Sequence, residues 1–419
     1  MTLLADLLST VFERRYRREA PGAASDGRPL GEIAMALVGS ASETSGLALA
    51  REILSRYGGL TDDQKLDFFR FLATRMNIDP EAVRSRLEDY ERTPTKASYR
   101  AFAEAAEPRR QELIRRLNRV QGATGELVKM RADLLRLGVS EPELAALDLD
   151  FRHLFASWFN RGFLVLRPIS WESPAHILEK IIAHEAVHAI DSWSELRRRL
   201  EPSDRRCFAF FHPAMPDEPL IFVEVALTTG TPGSVQALLA EDRAPMPAKG
   251  ADTAVFYSIS NCQEGLASIS FGNSLIKQVA ADLAAELPGL KTFVTLSPIP
   301  GLTRWLTQEG IDAAAAPPER IKALAAHYLL KAKSRGGVPF DPVARFHLGN
   351  GALVHAVHAE ADTSDKGRAQ SGGVMVNYLY DLARVEQNHE VFATSRDVVA
   401  AKEVKALAET ADLTPIQES

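Results

Sequence analysis

The sequence predicts an α+β protein in which an all-α N-terminal region precedes a region of mixed helices and strands. Helix-start signals recur early in the chain, where acidic residues and proline open apolar-periodic segments, as at Asp62 and Asp79. Further along, an aromatic and β-branched stretch at 254–260 leads through a glycine-containing loop into a segment of helical period. We therefore predict a helical domain over 1–158 and an α/β domain over 159–419.

Composition limits the classes of function. The chain has 419 residues, 25% of them charged, and a formal net charge of -6, so it lacks the basic footprint of nucleic-acid-binding proteins. Cys207 and Cys262 are too few for a disulfide framework. The first 20 residues read as an amphipathic helix rather than a signal peptide, no apolar run is long enough for a membrane helix, and the last residues carry no peroxisomal tripeptide. A cytoplasmic protein with neither a nucleic-acid nor a membrane partner is the expectation.

One helix in the first domain permits two interpretations. The segment 107–120 is basic and amphipathic, which would suit a nucleic acid or a membrane surface. It also suits a solvated helix whose Leu113, Ile114, Leu117 and Val120 face inward, and the many nearby carboxylates favour this interpretation.

The elements expected after residue 158 follow in order. Residues 162–168 predict a strand, and Ser173 is expected to cap a helix that begins with Pro174. Two further strands, 206–212 and 218–227, are expected to form a hairpin through the proline-containing connection between them.

The stretch 254–306 organises the second domain. It predicts a strand over 254–260, a loop from Gly265, a helix from Asn273 to Leu287, and a second strand that ends in Ser297 and Pro298. The glycines and small polar residues of the loop leave room for close approach, and the N-terminal end of the helix would favour an anion such as a pyrophosphate. Turn geometry alone is the alternative explanation for those glycines.

The segment from His184 to His188 matches the pattern HExxH. On a helix, both histidines could share a Zn²⁺ with Glu185 as general base, as in a metalloprotease. No downstream Gly-x-x-His spacing and no evident glutamate helix supplies a third ligand, so we favour a helix whose histidines form local hydrogen bonds and expect no metal.

Two later segments contain a candidate ligand-binding histidine and a further predicted helix. His347 precedes a Gly-Asn-Gly turn and a strand-like run, a position that a ligand could reach but that structural histidines also occupy. The segment 371–380 is expected to begin a helix.

Several short motifs together resemble those of the malonyl-CoA decarboxylase family, in that family's order and spacing. The resemblance covers most of the chain and is strongest over about 158–391. The motifs are Glu185-Ala-Val-His188, Pro216-Asp-Glu-Pro-Leu220, Phe256-Tyr-Ser-Ile-Ser260, Leu296-Ser-Pro-Ile-Pro-Gly301, Phe346-His-Leu-Gly-Asn-Gly-Ala352 and Asn377-Tyr-Leu-Tyr380.

The resemblance implies an oligomerising helical domain followed by a GNAT-like acyl-CoA-binding domain. It implies that Ser297 and His347 are catalytic and that Tyr380 lines the substrate pocket. No cofactor is implied beyond the coenzyme A of the substrate. The residues that match the family's CoA-binding loop are Ala267, Ser268, Ile269, Ser270, Phe271, Gly272 and Asn273. Animal members carry glutamate where Ser270 stands, so no carboxylate role transfers to that position.

The implied reaction is loss of CO₂ from malonyl-CoA through a thioester enolate. Such chemistry needs hydrogen-bond donors at the thioester oxygen and an acid for the carbon. We expect His347 to protonate the carbon and Ser297 to hydrogen-bond either the departing carboxylate or the thioester. Three alternatives remain open at this point: an acyltransferase of the same fold, a zinc hydrolase, and a CoA-binding oligomer without activity.

Overall fold

The computed structural model describes residues 27–269 and 275–414. Their contacts divide them into two compact units. The first covers 27–164 together with the short segments 212–217 and 263–269. The second covers 165–211, 218–262 and 275–414.

Helices make up most of the first unit. Their starts match the sequence signals: Thr61 forms a capping box with Gln64, and the Asp79 side chain accepts hydrogen bonds from two first-turn amides with Pro80 behind it. The helices are α1 (Leu30–Gly39), α2 (Glu43–Gly58), α3 (Asp62–Arg75), α4 (Pro80–Arg92), α5 (Lys96–Ala106), α6 (Arg109–Leu117), α7 (Ala123–Leu137) and α8 (Ala145–Trp158).

The basic helix α6 turns its apolar side into the core of the first unit. Leu113, Ile114 and Leu117 are buried, as the inward-facing interpretation requires, and Val120 lies just beyond the helix and is half-buried. The core next to it is closed by aromatic side chains of α8, including the fully buried Phe151 and Phe155. The burial of this face by neighbouring helices stabilises α6.

A mixed sheet forms the centre of the second unit. Within the described residues it has eight strands in the order β1-β2-β3-β4-β5-β8-β6, with β7 on the free side of β8. The strands are β1 (Val165–Ile169), β2 (Arg205–His212), β3 (Met215–Thr228), β4 (Thr253–Asn261), β5 (Thr292–Thr295), β6 (Ser297–Pro298), β7 (Leu353–His358) and β8 (Met375–Leu379). The α+β class and the helical N-terminal region are thus confirmed.

The sheet parts at its middle. Strands β4 and β5 run parallel, and their pairing ends at Phe256 and Thr295, with one further bond from Leu296 N to Phe256 O. The chain then leaves β4, and β6 pairs with β8 instead. The second half of β4 stays paired to β3 on its other side. This divergence opens a gap between β4 and β6.

The helices of the second unit connect these strands. None of the helices in the described ranges is long and apolar enough to cross a membrane. They are α9 (Ala175–His184), α10 (Trp193–Leu200), α11 (Val235–Leu239), α12 (Leu275–Glu286), α13 (Leu302–Gln308), α14 (Pro318–Lys331), α15 (Pro342–Gly349), α16 (Asp365–Ser371), α17 (Val385–Ser395) and α18 (Lys402–Glu409).

The expectations for Ser173 and for the segment 371–380 are wrong. Ser173 does not cap α9: its hydroxyl accepts from Ser170 N within the preceding turn, and Pro174 occupies the cap position. The segment 371–380 does not begin a helix. Gly372 and Gly373 adopt positive φ and end α16, and the β-branched and aromatic residues that follow form β8.

Candidate active site

A cavity of about 260 Å³ lies where the strands part. Phe256, Tyr257, Ile259 and Asn261 of β4 form one side, and Ser297 lies on the other. Its remaining lining residues come from β3, the 185–188 segment, β6 and α15, namely Ile221, Val187, Pro298, Pro342, Val343, Phe346 and His347. All of them belong to the second unit.

Ser297 is the first residue of β6 and is only 6% exposed. Its Oγ lies 2.8 Å from Thr295 Oγ1, to which it donates. Thr295 Oγ1 also accepts from Tyr378 N at 3.1 Å. Because residues two apart on an extended segment share a face, the sheet itself aligns the two hydroxyls.

His347 lies near the end of α15 and is 2% exposed. The start of this helix is fixed by the buried Asp341, whose carboxylate accepts from Val343 N and Ala344 N at 2.9 Å each. The same carboxylate accepts from Gly301 N at 3.3 Å. Asp341 therefore ties the helix that carries His347 to the turn that follows Ser297.

The motif glycines are required by space and by backbone conformation. A Cβ on Gly301 would lie 2.2 Å from the Tyr328 hydroxyl. Gly351 has a φ of 84°, and a Cβ there would lie 1.9 Å from Val385 O. No larger side chain fits either position without displacing its neighbour, which explains Gly301 in the 296–301 motif and Gly351 in the 346–352 motif.

The two predicted catalytic side chains meet. Ser297 Oγ lies 3.2 Å from His347 Nε2, and His347 Nδ1 lies 2.8 Å from the Tyr380 hydroxyl. The imidazole also stacks on Tyr378, with ring centroids 4.5 Å apart. Ser297 and His347 therefore lie together, as expected, with Tyr380 beside them. The catalytic roles of Ser297 and His347 and the pocket-lining role of Tyr380 stay predictions.

The hydrogen bonds assign a tautomer to the imidazole. Since the Ser297 hydroxyl donates to Thr295, its oxygen is an acceptor for His347 Nε2–H. His347 Nδ1 then accepts from the Tyr380 hydroxyl, which burial keeps protonated by raising its pKa well above the ordinary value. The arrangement is a directed chain from Tyr380 through His347 and Ser297 to Thr295.

Burial determines the charge of His347. It lowers the pKa of the imidazole to about 3, because transfer from water disfavours the charged form and the groups bonded to the ring are hydroxyls. His347 is therefore neutral near pH 7 in this structure. A neutral imidazole in this tautomer offers one N–H donor on the Ser297 side.

The predicted CoA-binding residues fall into two groups. Ala267, Ser268 and Ile269 lie in the first unit, on a turn that follows a 3-10 segment, Glu264–Leu266. There Arg131 donates to Gly265 O at 2.7 Å and to Ala267 O at 2.9 Å. The remaining four, Ser270, Phe271, Gly272 and Asn273, lie outside the described residues, so the CoA-binding role of the whole group stays a prediction.

The HExxH segment is not one continuous helix. Helix α9 ends at His184, and Glu185 has extended backbone angles. The Glu185 carboxylate accepts from Val187 N, His188 N and Ser258 Oγ at 2.8, 2.9 and 2.6 Å. The helix assumed by both interpretations of this motif is therefore wrong, and Glu185 instead shapes the wall that carries Val187. Across the described residues, no three His, Cys, Asp or Glu side chains group as metal ligands.

Sequence reasoning missed the residues that support the pair. Thr295 could have been found, because it alternates with Ser297 on one strand face. Asp341 also carried a signal, since an aspartate before proline is a typical helix start. Tyr378 lies inside the motif 377–380, but the resemblance assigns it no role. Its stacking on His347 depends on a strand pairing that the local sequence pattern does not reveal.

Comparisons with known proteins agree on one family. The sequence profile of the malonyl-CoA decarboxylase C-terminal domain matches residues 162–319 and 311–417, and that of the N-terminal domain matches 76–159. The mitochondrial malonyl-CoA decarboxylase of Anser anser anser is 34% identical over 348 residues, 71% of this chain and 69% of that protein. Its counterpart from Mus musculus is 30% identical over an alignment of 421 positions that covers 85% of this chain and 84% of that protein.

Solved structures give the same result. The crystal structure of malonyl-CoA decarboxylase from Rhodopseudomonas palustris is 46% identical, with a TM-score of 0.86 over 90% of this chain and 98% of that one. The enzyme from Cupriavidus metallidurans is 35% identical, with a TM-score of 0.72 over the same shares of the two chains. The chain therefore belongs to the malonyl-CoA decarboxylase family, a family of decarboxylases.

Proposed function

We propose that this chain converts malonyl-CoA to acetyl-CoA and CO₂ through a thioester enolate, with Ser297 and His347 as its catalytic residues. The family membership supports the substrate and the overall reaction. The observation that carries the mechanism is the 3.2 Å contact between Ser297 Oγ and His347 Nε2 at the cavity between the parted strands.

Bond cleavage comes first in the proposed mechanism. The bond between C2 and the carboxylate carbon breaks, CO₂ departs, and the electron pair moves through C2 onto the thioester oxygen. The donors at the site, His347 Nε2–H and the Ser297 hydroxyl, donate to Ser297 Oγ and Thr295 Oγ1 in this structure. We propose that they turn to the thioester oxygen as its charge develops. Since the thioester carbonyl accepts the electron pair, we propose that the reaction needs no metal and no cofactor beyond the coenzyme A of the substrate.

The cavity lining favours loss of the carboxylate charge. Among the described residues that line it there is no lysine, arginine, aspartate or glutamate, and most are aliphatic or aromatic. A carboxylate placed there would lose its water without gaining an ion pair, whereas CO₂ is apolar. The site therefore favours the uncharged product over the substrate carboxylate.

Protonation of C2 completes the reaction. The negative charge of the enolate raises the pKa of the neighbouring imidazole, because an opposite charge favours the imidazolium. His347 then takes one proton from solvent at Nδ1 and passes its Nε2 proton to C2, which yields acetyl-CoA and leaves a neutral imidazole. Proton exchange with solvent restores the starting tautomer. The Tyr380 hydroxyl fixes the ring orientation through Nδ1.

The substrate's nucleotide end is assigned to the loop predicted from the sequence. Ala267, Ser268 and Ile269 supply the described part of this binding segment, and Ser270 to Asn273 complete it. Loop amides are suitable ligands for a pyrophosphate because they donate hydrogen bonds without adding charge.

A CO₂-release assay with purified protein, malonyl-CoA and an added chelator tests the reaction. We expect CO₂ and acetyl-CoA in equal amounts with or without chelator. Ser297→Ala should lower kcat by about 10²–10³ and His347→Asn by about 10²–10⁴, with little change in CoA affinity. A raised KM at unchanged kcat would remove both residues from the catalytic role.

Matched controls lie outside the cavity. His327→Asn alters a half-buried histidine that stacks on Trp305, and Ser395→Ala alters an exposed helix serine. Both should keep wild-type kcat. Malonyl-CoA that remains intact until an acyl acceptor is added would instead indicate an acyltransferase, and activity abolished by the chelator would indicate a zinc enzyme.

We also propose a cytoplasmic homo-oligomer assembled through the helical region. Helices α4 and α5 contain no buried residue, and Leu87 and Tyr99 on them are 38% and 57% exposed. Light scattering on the purified wild type and on Tyr99→Glu tests the assembly. The wild type should have the mass of an oligomer and Tyr99→Glu a lower mass, whereas a monomeric mass for both proteins would contradict the proposed assembly. Cell fractionation tests the location.

A further inference from the structure

Arg131 of α7 is buried in the first unit, where it contacts the segment 263–269. The last three residues of this segment, Ala267, Ser268 and Ile269, are the first of the proposed CoA-binding residues. Arg131 is 1% exposed. Its Nη1 donates to Gly265 O and Ala267 O at 2.7 and 2.9 Å, and its Nε donates to Asp148 Oδ1 at 2.8 Å. One guanidinium thus binds two carbonyls of the segment and one carboxylate.

The contact between α7 and the segment is close. A Cβ on Gly265 would lie 1.9 Å from Val128 O, one turn of α7 before Arg131. Only glycine permits this approach without a backbone shift. The segment is therefore held against α7 by backbone packing as well as by the Arg131 hydrogen bonds.

The Arg131 hydrogen bonds have a directional consequence. In a planar trans peptide the carbonyl and the following N–H point in opposite directions, so an Ala267 carbonyl directed at Arg131 turns the Ser268 N–H away from it. Ser268 is exposed, has a φ of 64°, and its N–H has no acceptor among the residues that the structure describes. An exposed, oriented amide of this kind can donate to an anion.

We infer that Arg131 is a positioning residue for acyl-CoA binding: it holds the carbonyls of Gly265 and Ala267 so that the Ser268 N–H is presented to the pyrophosphate of the substrate. This inference rests on the proposed function. Under it, a buried arginine of the helical region affects substrate affinity and does not affect the chemical step.

Arg131→Lys tests the inference. Lysine keeps a positive charge beside Asp148 but lacks the planar fork in which Nε bonds Asp148 while Nη1 bonds both carbonyls. We expect the KM for malonyl-CoA to rise about tenfold, because charged hydrogen bonds are lost, while kcat stays within about twofold. The KM for malonyl-pantetheine, which lacks the nucleotide and its pyrophosphate, should not change. Acetyl-CoA affinity measured by calorimetry should fall in parallel.

Arg110→Lys is the matched control. Arg110 is also buried in the first unit and also binds a carboxylate and a carbonyl, those of Asp150 and Ala73, but it does not contact the segment. It should leave both KM values unchanged. An equal rise in KM for both substrates in Arg131→Lys, or no rise for either, would overturn the inference.

A wild-type measurement covers the case in which Arg131→Lys does not fold. Hydrogen exchange of the 263–269 segment should slow on addition of acetyl-CoA and not on addition of acetyl-pantetheine, and equal protection by both ligands would overturn the inference. Failure of the wild type to release CO₂ would overturn the proposed reaction and not this inference. Acetyl-CoA affinity and hydrogen exchange would still test the effect of Arg131 on acyl-CoA binding.

Discussion

Two buried basic side chains, one in each unit, have different partners. Arg110 in the helical unit is 2% exposed and lies 2.5 Å from a carboxylate oxygen of Asp150. His347 in the sheet unit is equally buried, but hydroxyls bind both of its ring nitrogens. The guanidinium stays charged beside its carboxylate, whereas burial lowers the pKa of the imidazole to about 3.

This difference in partners suits Arg110 to a structural role and His347 to a chemical one. The Arg110 charge, paired with a carboxylate, links α6 to α8 and does not line the cavity. A neutral imidazole among hydroxyls keeps an N–H at the edge of a cavity, and a new negative charge there would change its pKa strongly. Mutation of Arg110 is thus expected to change stability, and mutation of His347 to change the rate.

Breaking the Arg110 ion pair should give the largest effect on stability. Arg110→Met leaves the Asp150 carboxylate buried with Gln111 as its one side-chain donor within residues 27–269 and 275–414, so we expect the free energy of unfolding to fall by about 3–5 kcal/mol. Denaturant unfolding measures this change. The exposed pair of Arg100 and Glu104 offers a control, since Arg100→Met should change stability little. A stable Arg110→Met protein with a reduced kcat would contradict the assignment of Arg110 to structure alone.

Removing the hydroxyl that orients His347 should have a smaller effect. In Tyr380→Phe the Nδ1 atom loses its donor, and we expect kcat to fall about tenfold, the equivalent of one hydrogen bond, at unchanged CoA affinity. Tyr378→Phe is the comparison, because the Tyr378 hydroxyl has no hydrogen-bond partner in the described part of the chain and its ring would still stack on the imidazole. Equal losses in both variants would show that packing, not the hydroxyl, accounts for the effect.

The pH dependence should show the smallest change. A pKa of about 3 leaves His347 neutral throughout the range from about pH 5 to 8, so kcat/KM should not fall as the pH rises through the ordinary histidine value. A mechanism that needs an imidazolium in the free enzyme predicts the opposite, a loss of activity with rising pH. An inflection near pH 6.5 that disappears in His347→Asn would support that second mechanism.

Local sequence signals predicted much of the scaffold. Proline and acidic starts located helices such as α4, and alternation located β4, because these features depend on neighbours in the chain. The segment 371–380 was assigned wrongly because its partners, β6 and β7, come from distant segments. HExxH was likewise ambiguous, since five residues do not reveal that a helix ends at His184.

The site was predicted only in part. The family resemblance identified Ser297, His347 and Tyr380, and their spatial convergence follows from the fold. The neutral state of His347 could not be predicted, because it depends on burial and on two hydroxyl partners from distant segments. The role of Arg131 was equally inaccessible, since its carbonyl partners lie more than a hundred positions away.

A double-mutant cycle on kcat tests most directly whether Ser297 and His347 act as one unit. Ser297→Ala, His347→Asn and the double variant are compared with wild type in the CO₂-release assay. If the hydrogen-bonded pair acts together, the double variant retains about the kcat of the slower single variant, because either change already disables the pair. Losses that multiply in the double variant would show two independent contributions and contradict the proposed mechanism.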